Sequence, residues 1–246
     1  MEFTVLERPL VVEFVGATAA EFAAEVVVTF RDLGPRNGRA GAADLTLNTN
    51  EADAEALLER LSQELCSWGI HQRREDLLLL HAGAVADPVT GAAVGFVGPS
   101  GAGKSTAVTT LGRRWGYLGD EVLALDDDGR VLPLCKPVSV IVQEQLAKAQ
   151  VPAADLGLVA APEKAQLTGL LYLDRRPTST VDVEPIANVD AMALLAPQIS
   201  FLGARLRPLR RLADQLARVG GLLRVTYEES ADLADVVGDL MDGGLR

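Results

Sequence analysis

Nine consecutive residues carry the clearest chemistry in this chain: Gly98-Pro99-Ser100-Gly101-Ala102-Gly103-Lys104-Ser105-Thr106. They fit G-x-x-x-x-G-K-[ST], and the apolar run Ala92–Val97 leads into them as a strand should. Gly98, Gly101 and Gly103 let the backbone fold tightly, so that successive N–H groups face inward towards phosphate oxygens. A helix opening at this point adds the partial positive charge of its N-terminus. Lys104 can then reach the β- and γ-phosphates, and the Ser105 hydroxyl is placed to ligate Mg²⁺. The pattern implies a site for a nucleoside triphosphate, ATP being the first choice, with Mg²⁺ arriving alongside it, or descent from such a site.

The elements that must hold this loop come from either side of it. Leu77–Ala86 is expected as one strand, Asp87-Pro88-Val89-Thr90-Gly91 as a turn, and Ala92–Val97 as the returning strand. Counting an antiparallel hairpin with Ala86 opposite Ala92 sets His81 opposite Val97, beside the loop. After the loop helix come Gly116–Leu125, with Asp120 and Glu121 among them, and the turn Asp126-Asp127-Asp128-Gly129. Acidic residues at a strand edge near a phosphate loop can bind Mg²⁺ or accept a proton from an attacking hydroxyl. Asp120 and Glu121 are the candidates, whereas Asp126–Asp128 before a glycine reads as a solvated turn.

Elsewhere, Phe3–Leu6, Leu10–Val15, Val26–Phe30 and Asp44–Leu47 are expected as strands. A helix is expected from Asn50, with Leu57, Leu58, Leu61, Leu65 and Trp68 as its core stripe. Arg130–Leu134, Leu167–Asp174, Val181–Ile186 and Leu222–Tyr227 read as further strands. Asp190–Leu202 and Leu206–Val219 read as helices, and Ser230 as the cap of a final one. Arg205, Arg207, Arg210, Arg211 and Arg218 cluster near the C-terminus, either as a solvated face or as a contact surface for an acidic or phosphorylated partner.

Composition bounds the rest. At 246 residues with 48% hydrophobic and 23% charged residues, the chain is globular. A formal net charge of −11 disfavours broad nucleic-acid binding. No apolar run has the length of a membrane span, which implies no membrane partner and a soluble, cytoplasmic protein. Cys66 and Cys135 are expected as buried free thiols.

His81-Ala82-Gly83-Ala84-Val85, the loop, and Gly116-Tyr117-Leu118-Gly119-Asp120-Glu121-Val122 together resemble the catalytic core of the HPr kinase/phosphorylase family. The likeness is to its compact relatives, some of which phosphorylate ribosomally made peptides, and it spans Leu77 to Pro137, including Lys136-Pro137. The resemblance implies an α/β phosphate-loop domain of phosphoenolpyruvate-carboxykinase type with a mixed sheet and helices packed on it. It also implies Asp120 as general base, with His81 near the γ-phosphate. Glu121 stands where the best-known members carry a second Asp. The family's second signature and its separate N-terminal domain have no counterpart here, so phosphorylase activity and HPr as substrate do not carry over.

The expectation is therefore a region 1–76 of strands and a helix packed on a kinase-like core, 77–246, with homo-oligomerisation left open. The core would transfer the γ-phosphate of ATP to a hydroxyl, serine first, of a peptide, a protein or a small molecule. Asp120, His81 and Lys104 would be catalytic. Residues 98–106 would hold the nucleotide, and Ser105 and Glu121 its Mg²⁺. The rival is a nucleotide-binding scaffold or assembly ATPase that phosphorylates nothing. No Leu-Ser-Gly-Gly-Gln signature follows the loop, which argues against an ABC-type ATPase, and Arg175-Arg176 is too little for a nucleoside-kinase lid.

Overall fold

The computed structural model describes residues 1–36, 38, 42–142, 147–203 and 207–244. Its elements begin with β1 (Glu2–Val5), β2 (Arg8–Val15), α1 (Ala19–Thr29), β3 (Leu45–Asn48), α2 (Ala54–Arg73), β4 (Leu78–Leu80) and β5 (Gly83–Ala86). There follow β6 (Ala92–Val97), α3 (Lys104–Leu111), β7 (Gly116–Gly119), β8 (Leu123–Leu125), β9 (Arg130–Leu132), β10 (Val138–Val142) and β11 (Ala147–Val151). The C-terminal part adds β12 (Ala165–Arg175), β13 (Asp182–Ile186), α4 (Asn188–Leu195), α5 (Pro208–Arg218), β14 (Leu222–Tyr227) and α6 (Ala234–Met241). Among the described residues no helix is long and apolar enough to cross a membrane.

Two compact units result: Met1–Gln72 with Leu134–Gly157, and Arg73–Pro133 with Leu158–Arg246. Residues 134–157, expected within the core, group with the N-terminal region instead.

In the first unit β1 and β2 form a hairpin whose turn residues Leu6 and Glu7 both take positive φ, and β2 pairs in parallel with β3. Val26–Phe30 is not a strand but the end of α1. Its β-branched run suggested a strand, yet Phe22, Val26 and Phe30 are buried at four-residue intervals while Val27 and Val28 are 44% and 59% exposed. That is a helical period, and burial decides over intrinsic preference. The next helix starts at Ala54 rather than near Asn50, because Asp53 Oδ1 accepts from the Ala56 N–H at 2.9 Å while Asn50 Oδ1 accepts from Ala17 N–H. Leu57, Leu58, Leu61 and Leu65 are buried as expected. Cys66, buried, and Cys135, partly buried, are in no disulfide, and burial, with the charge of Asp32 adding to it, pushes the Cys135 thiol up to about 12.

The second unit is built on a mixed sheet of nine strands among the described residues, in the order β4-β8-β9-β12-β6-β5-β7, with β14 also on β12 and β13 on β14. β6, β12 and β14 are parallel to one another, and the other pairings are antiparallel. β6 is buried along its whole length, as a strand flanked on both sides must be. The strand expected over Leu77–Ala86 is two. Leu78–Leu80 pairs with β8 and Gly83–Ala86 with β6 and β7, so the chain must break at His81-Ala82 to serve different neighbours. Three expected boundaries move. Arg130–Leu134 ends at Leu132, before Pro133, and the helix from Asp190 ends at Leu195, close to Pro197. The N-cap near the C-terminus is Glu229 rather than Ser230, and its carboxylate and that of Asp232 close a capping box around the turn Ser230–Leu233.

Candidate functional site

β6 ends at Val97, residues 98–103 turn, and α3 opens at Lys104, so the motif has the strand, loop and helix expected of it. Gly103 takes φ +90°, and a Cβ there would stand 2.9 Å from the Tyr227 hydroxyl. Glycine is therefore required both by backbone conformation and by the close approach of β14. Tyr227 Oη donates to the Ala102 carbonyl at 3.1 Å, and burial raises its hydroxyl above the ordinary value while the charge of Arg175 opposes that shift.

Lys104 is buried, and its ammonium donates to the carbonyls of Gly98 at 2.9 Å and Pro99 at 3.1 Å. Burial lowers its pKa from the ordinary lysine value. Ser105 and Thr106 are exposed in the first turn of α3, and Pro99, Ser100 and Gly101 are exposed on the loop. The side-chain cation and the loop thus share one end of the sheet with a helix N-terminus, a combination that suits a bound anion.

Asp120 comes to the same end through Gly83. Gly83 pairs with Phe96 near the end of β6, and Ala84 pairs with Gly119. A Cβ on Gly83 would lie 2.4 Å from Val108 Cγ2 and 3.4 Å from the Cα of Asp120. Only glycine lets α3 and the end of β7 close on β5 there. Asp120 consequently lies against the helix that Lys104 opens, with Val108 one turn along. Its side chain is buried, and Tyr117 donates to Oδ1 at 3.0 Å. Glu121 is half-buried beside it, before β8 begins.

His81 stands differently from the expectation. Ala86 pairs with Ala93, not Ala92, so the register is shifted by one residue, and the ladder ends at Gly83 before reaching His81. The His81 side chain is exposed, in the break between β4 and β5, and the backbone N–H of His81 donates to the Gln198 carbonyl at 2.7 Å.

The acidic turn and the arginine cluster meet each other. Arg211 pairs with the Asp127 carboxylate, Arg218 donates to the Asp127 carbonyl at 3.1 Å, and Gln215 donates to the carbonyls of Asp126 and Asp127. Arg210 lies 4.0 Å from Asp214 with its side chain 70% exposed. Arg207 is the N-cap of α5, and Arg205 lies outside the described residues.

Sequence reasoning missed Tyr227, Tyr117 and Arg175. Tyr227 and Arg175 sit at the ends of expected strands, but only the parallel pairing of β6, β12 and β14 puts those ends beside the loop. Tyr117 carried the one available signal, its position three residues before Asp120.

No family model matches the chain, and no curated protein matches it. Among solved structures, the HPr(Ser) kinase/phosphatase from Coxiella burnetii is similar at 13% identity over 67% of this chain and 94% of that one, with a TM-score of 0.34. At that score the likeness is distant and carries no argument about the reaction or its residues.

Proposed function

We propose that the chain binds ATP with Mg²⁺ at Gly98–Thr106 and transfers the γ-phosphate to a hydroxyl, serine first, of a peptide, a protein or a small molecule. The observation that carries this reading is the placement of Asp120, a buried carboxylate against α3, at the sheet end where the glycine loop leaves β6. An anion site alone would serve any phosphate binder. A carboxylate beside it gives an acceptor hydroxyl somewhere to leave its proton.

In this reading the loop N–H groups and Lys104 hold the polyphosphate, Lys104 exchanging its two carbonyl contacts for phosphate oxygens. The acceptor oxygen attacks the γ-phosphorus, the bond to the bridging oxygen of ADP breaks, and Asp120 takes the hydroxyl proton. Tyr117 holds the Asp120 carboxylate in place.

Magnesium fits the donors present. Ser105 offers an exposed hydroxyl and Glu121 a half-buried carboxylate. That sparse set suits an ion that keeps waters and takes substrate phosphates as ligands. When bound it would neutralise charge on the β- and γ-oxygens.

Incubation with γ-labelled ATP and a panel of serine-bearing acceptors tests the reading. Label on an acceptor supports it. Phosphate release with no acceptor labelled would favour the scaffold ATPase, and no turnover of ATP at all would remove the enzyme.

A further inference from the structure

We propose that Arg175 is a second cation for the anion held by the 98–103 loop, an inference that rests on the nucleotide-binding reading. β6, β12 and β14 are parallel, and ligands of such sheets bind outside the carboxyl ends of the strands. β12 runs past β6: Tyr172 pairs with Val97, and Arg175, further along, pairs with Tyr227. Arg175 Cδ lies 3.8 Å from the point where a Cβ on Gly103 would stand, so the aliphatic stem already rests against the loop.

The guanidinium is held by the residues that follow β14. Nε donates to the Glu228 carbonyl at 2.9 Å, and Nη2 stands 3.5 Å from Glu229 Oε1. Both side chains of that ion pair are exposed, at 46% for Arg175 and 71% for Glu229, so water weakens the attachment. Rotation about the last torsions brings the planar donor fork towards the loop, where a polyphosphate offers more charge and bidentate geometry. Arg176 is not an equivalent candidate, since it donates to Thr226 Oγ1 and pairs with Asp174. Lys104 and Arg175 would then hold the anion from two sides.

Calorimetric titration of the full chain with ATP–Mg²⁺ and with inorganic tripolyphosphate, which has no base or ribose, tests this. Arg175→Gln should weaken both probes about tenfold, the size of one charge-assisted hydrogen bond, and Arg175→Lys should fall between it and wild type. Glu229→Gln should tighten both, because it releases the guanidinium while its amide oxygen keeps the cap on the Ser230–Leu233 turn. Wild-type affinity of Arg175→Gln for tripolyphosphate overturns the assignment. Should Arg175→Gln also melt below wild type, Glu229→Gln decides, since weaker binding in both variants marks the pair as structural and overturns the proposal. A wild type that binds neither probe overturns the nucleotide reading itself; one that binds both, with an indifferent Arg175→Gln, overturns only the role of Arg175.

Discussion

The hydroxyl of Tyr227 donates to the carbonyl of Ala102 at 3.1 Å, tying the end of β14 to the glycine loop across 125 positions of sequence. Tyr227 is fully buried, so Tyr227→Phe removes one oxygen and leaves the packing. A net hydrogen bond contributes about 0.5–1.5 kcal/mol. The variant should lose about that much stability in a denaturant titration and bind ATP–Mg²⁺ several-fold more weakly. Unchanged affinity would show that the tie does not shape the loop.

Asp120 should govern rate and not nucleotide affinity. As a general base it contributes about 10²- to 10⁴-fold, so Asp120→Asn should cut phosphotransfer by that order with ATP binding retained. Tyr117→Phe frees the carboxylate from its 3.0 Å hydrogen bond and should lower kcat with little effect on the KM for ATP. An inactive Glu121→Gln beside an active Asp120→Asn would move the base by one residue.

How much of this was legible in the residues depends on distance along the chain. The loop motif, its leading strand and its helix are contiguous, so spacing alone placed them. Asp120 was reachable because it follows the loop helix closely. The break at His81 was not, because it arises from β4 and β5 choosing different partners, β8 for one and β6 with β7 for the other. Nothing local distinguishes Leu80 from Ala84 in that respect. Arg175 and Tyr227 were hidden for the same reason, since parallel neighbours far apart in sequence leave no turn signal between them. Val26–Val28 misled in the opposite sense: β-branched residues suggested a strand, and the burial of Phe22, Val26 and Phe30 on one face made it a helix.

Lys104 predicts a pH dependence. Burial holds its ammonium below the ordinary lysine value of 10.5, and the unfolded chain keeps the ordinary one. Between the two values the unfolded state binds more protons, so this residue's cost to stability is present at lower pH and is relieved as pH rises through that window. Phosphate favours the charged ammonium, so affinity for ATP–Mg²⁺ should fall as the free protein's Lys104 deprotonates. Titrations at rising pH, up to the ordinary lysine value of 10.5, should show this decline in wild type and not in Lys104→Met. The same decline in both proteins would assign it to another group.

The arginines of and beside α5 differ in what they touch. Arg211 and Arg218 hold the Asp126–Gly129 turn, and Asp127 is 65% exposed, so Arg211→Gln should cost less than about 1 kcal/mol in a melt and leave acceptor kinetics alone. Arg207 and Arg210 are the two we propose for contact with an acidic acceptor or partner. Replacing both by Gln should raise the acceptor KM several-fold and flatten its salt dependence, with ATP affinity unchanged. Wild-type acceptor kinetics at low salt would return them to a solvated face.

The proposed binding of ATP–Mg²⁺ by the 98–106 loop through Lys104 underlies every other assignment. Calorimetric titration of ATP–Mg²⁺ into wild type and Lys104→Ala decides it. Wild type should show saturable binding at one site per chain, and the variant at least about tenfold weaker binding, the loss of one charge-assisted contact. Absence of binding in wild type, or equal affinity in the two proteins, would contradict it.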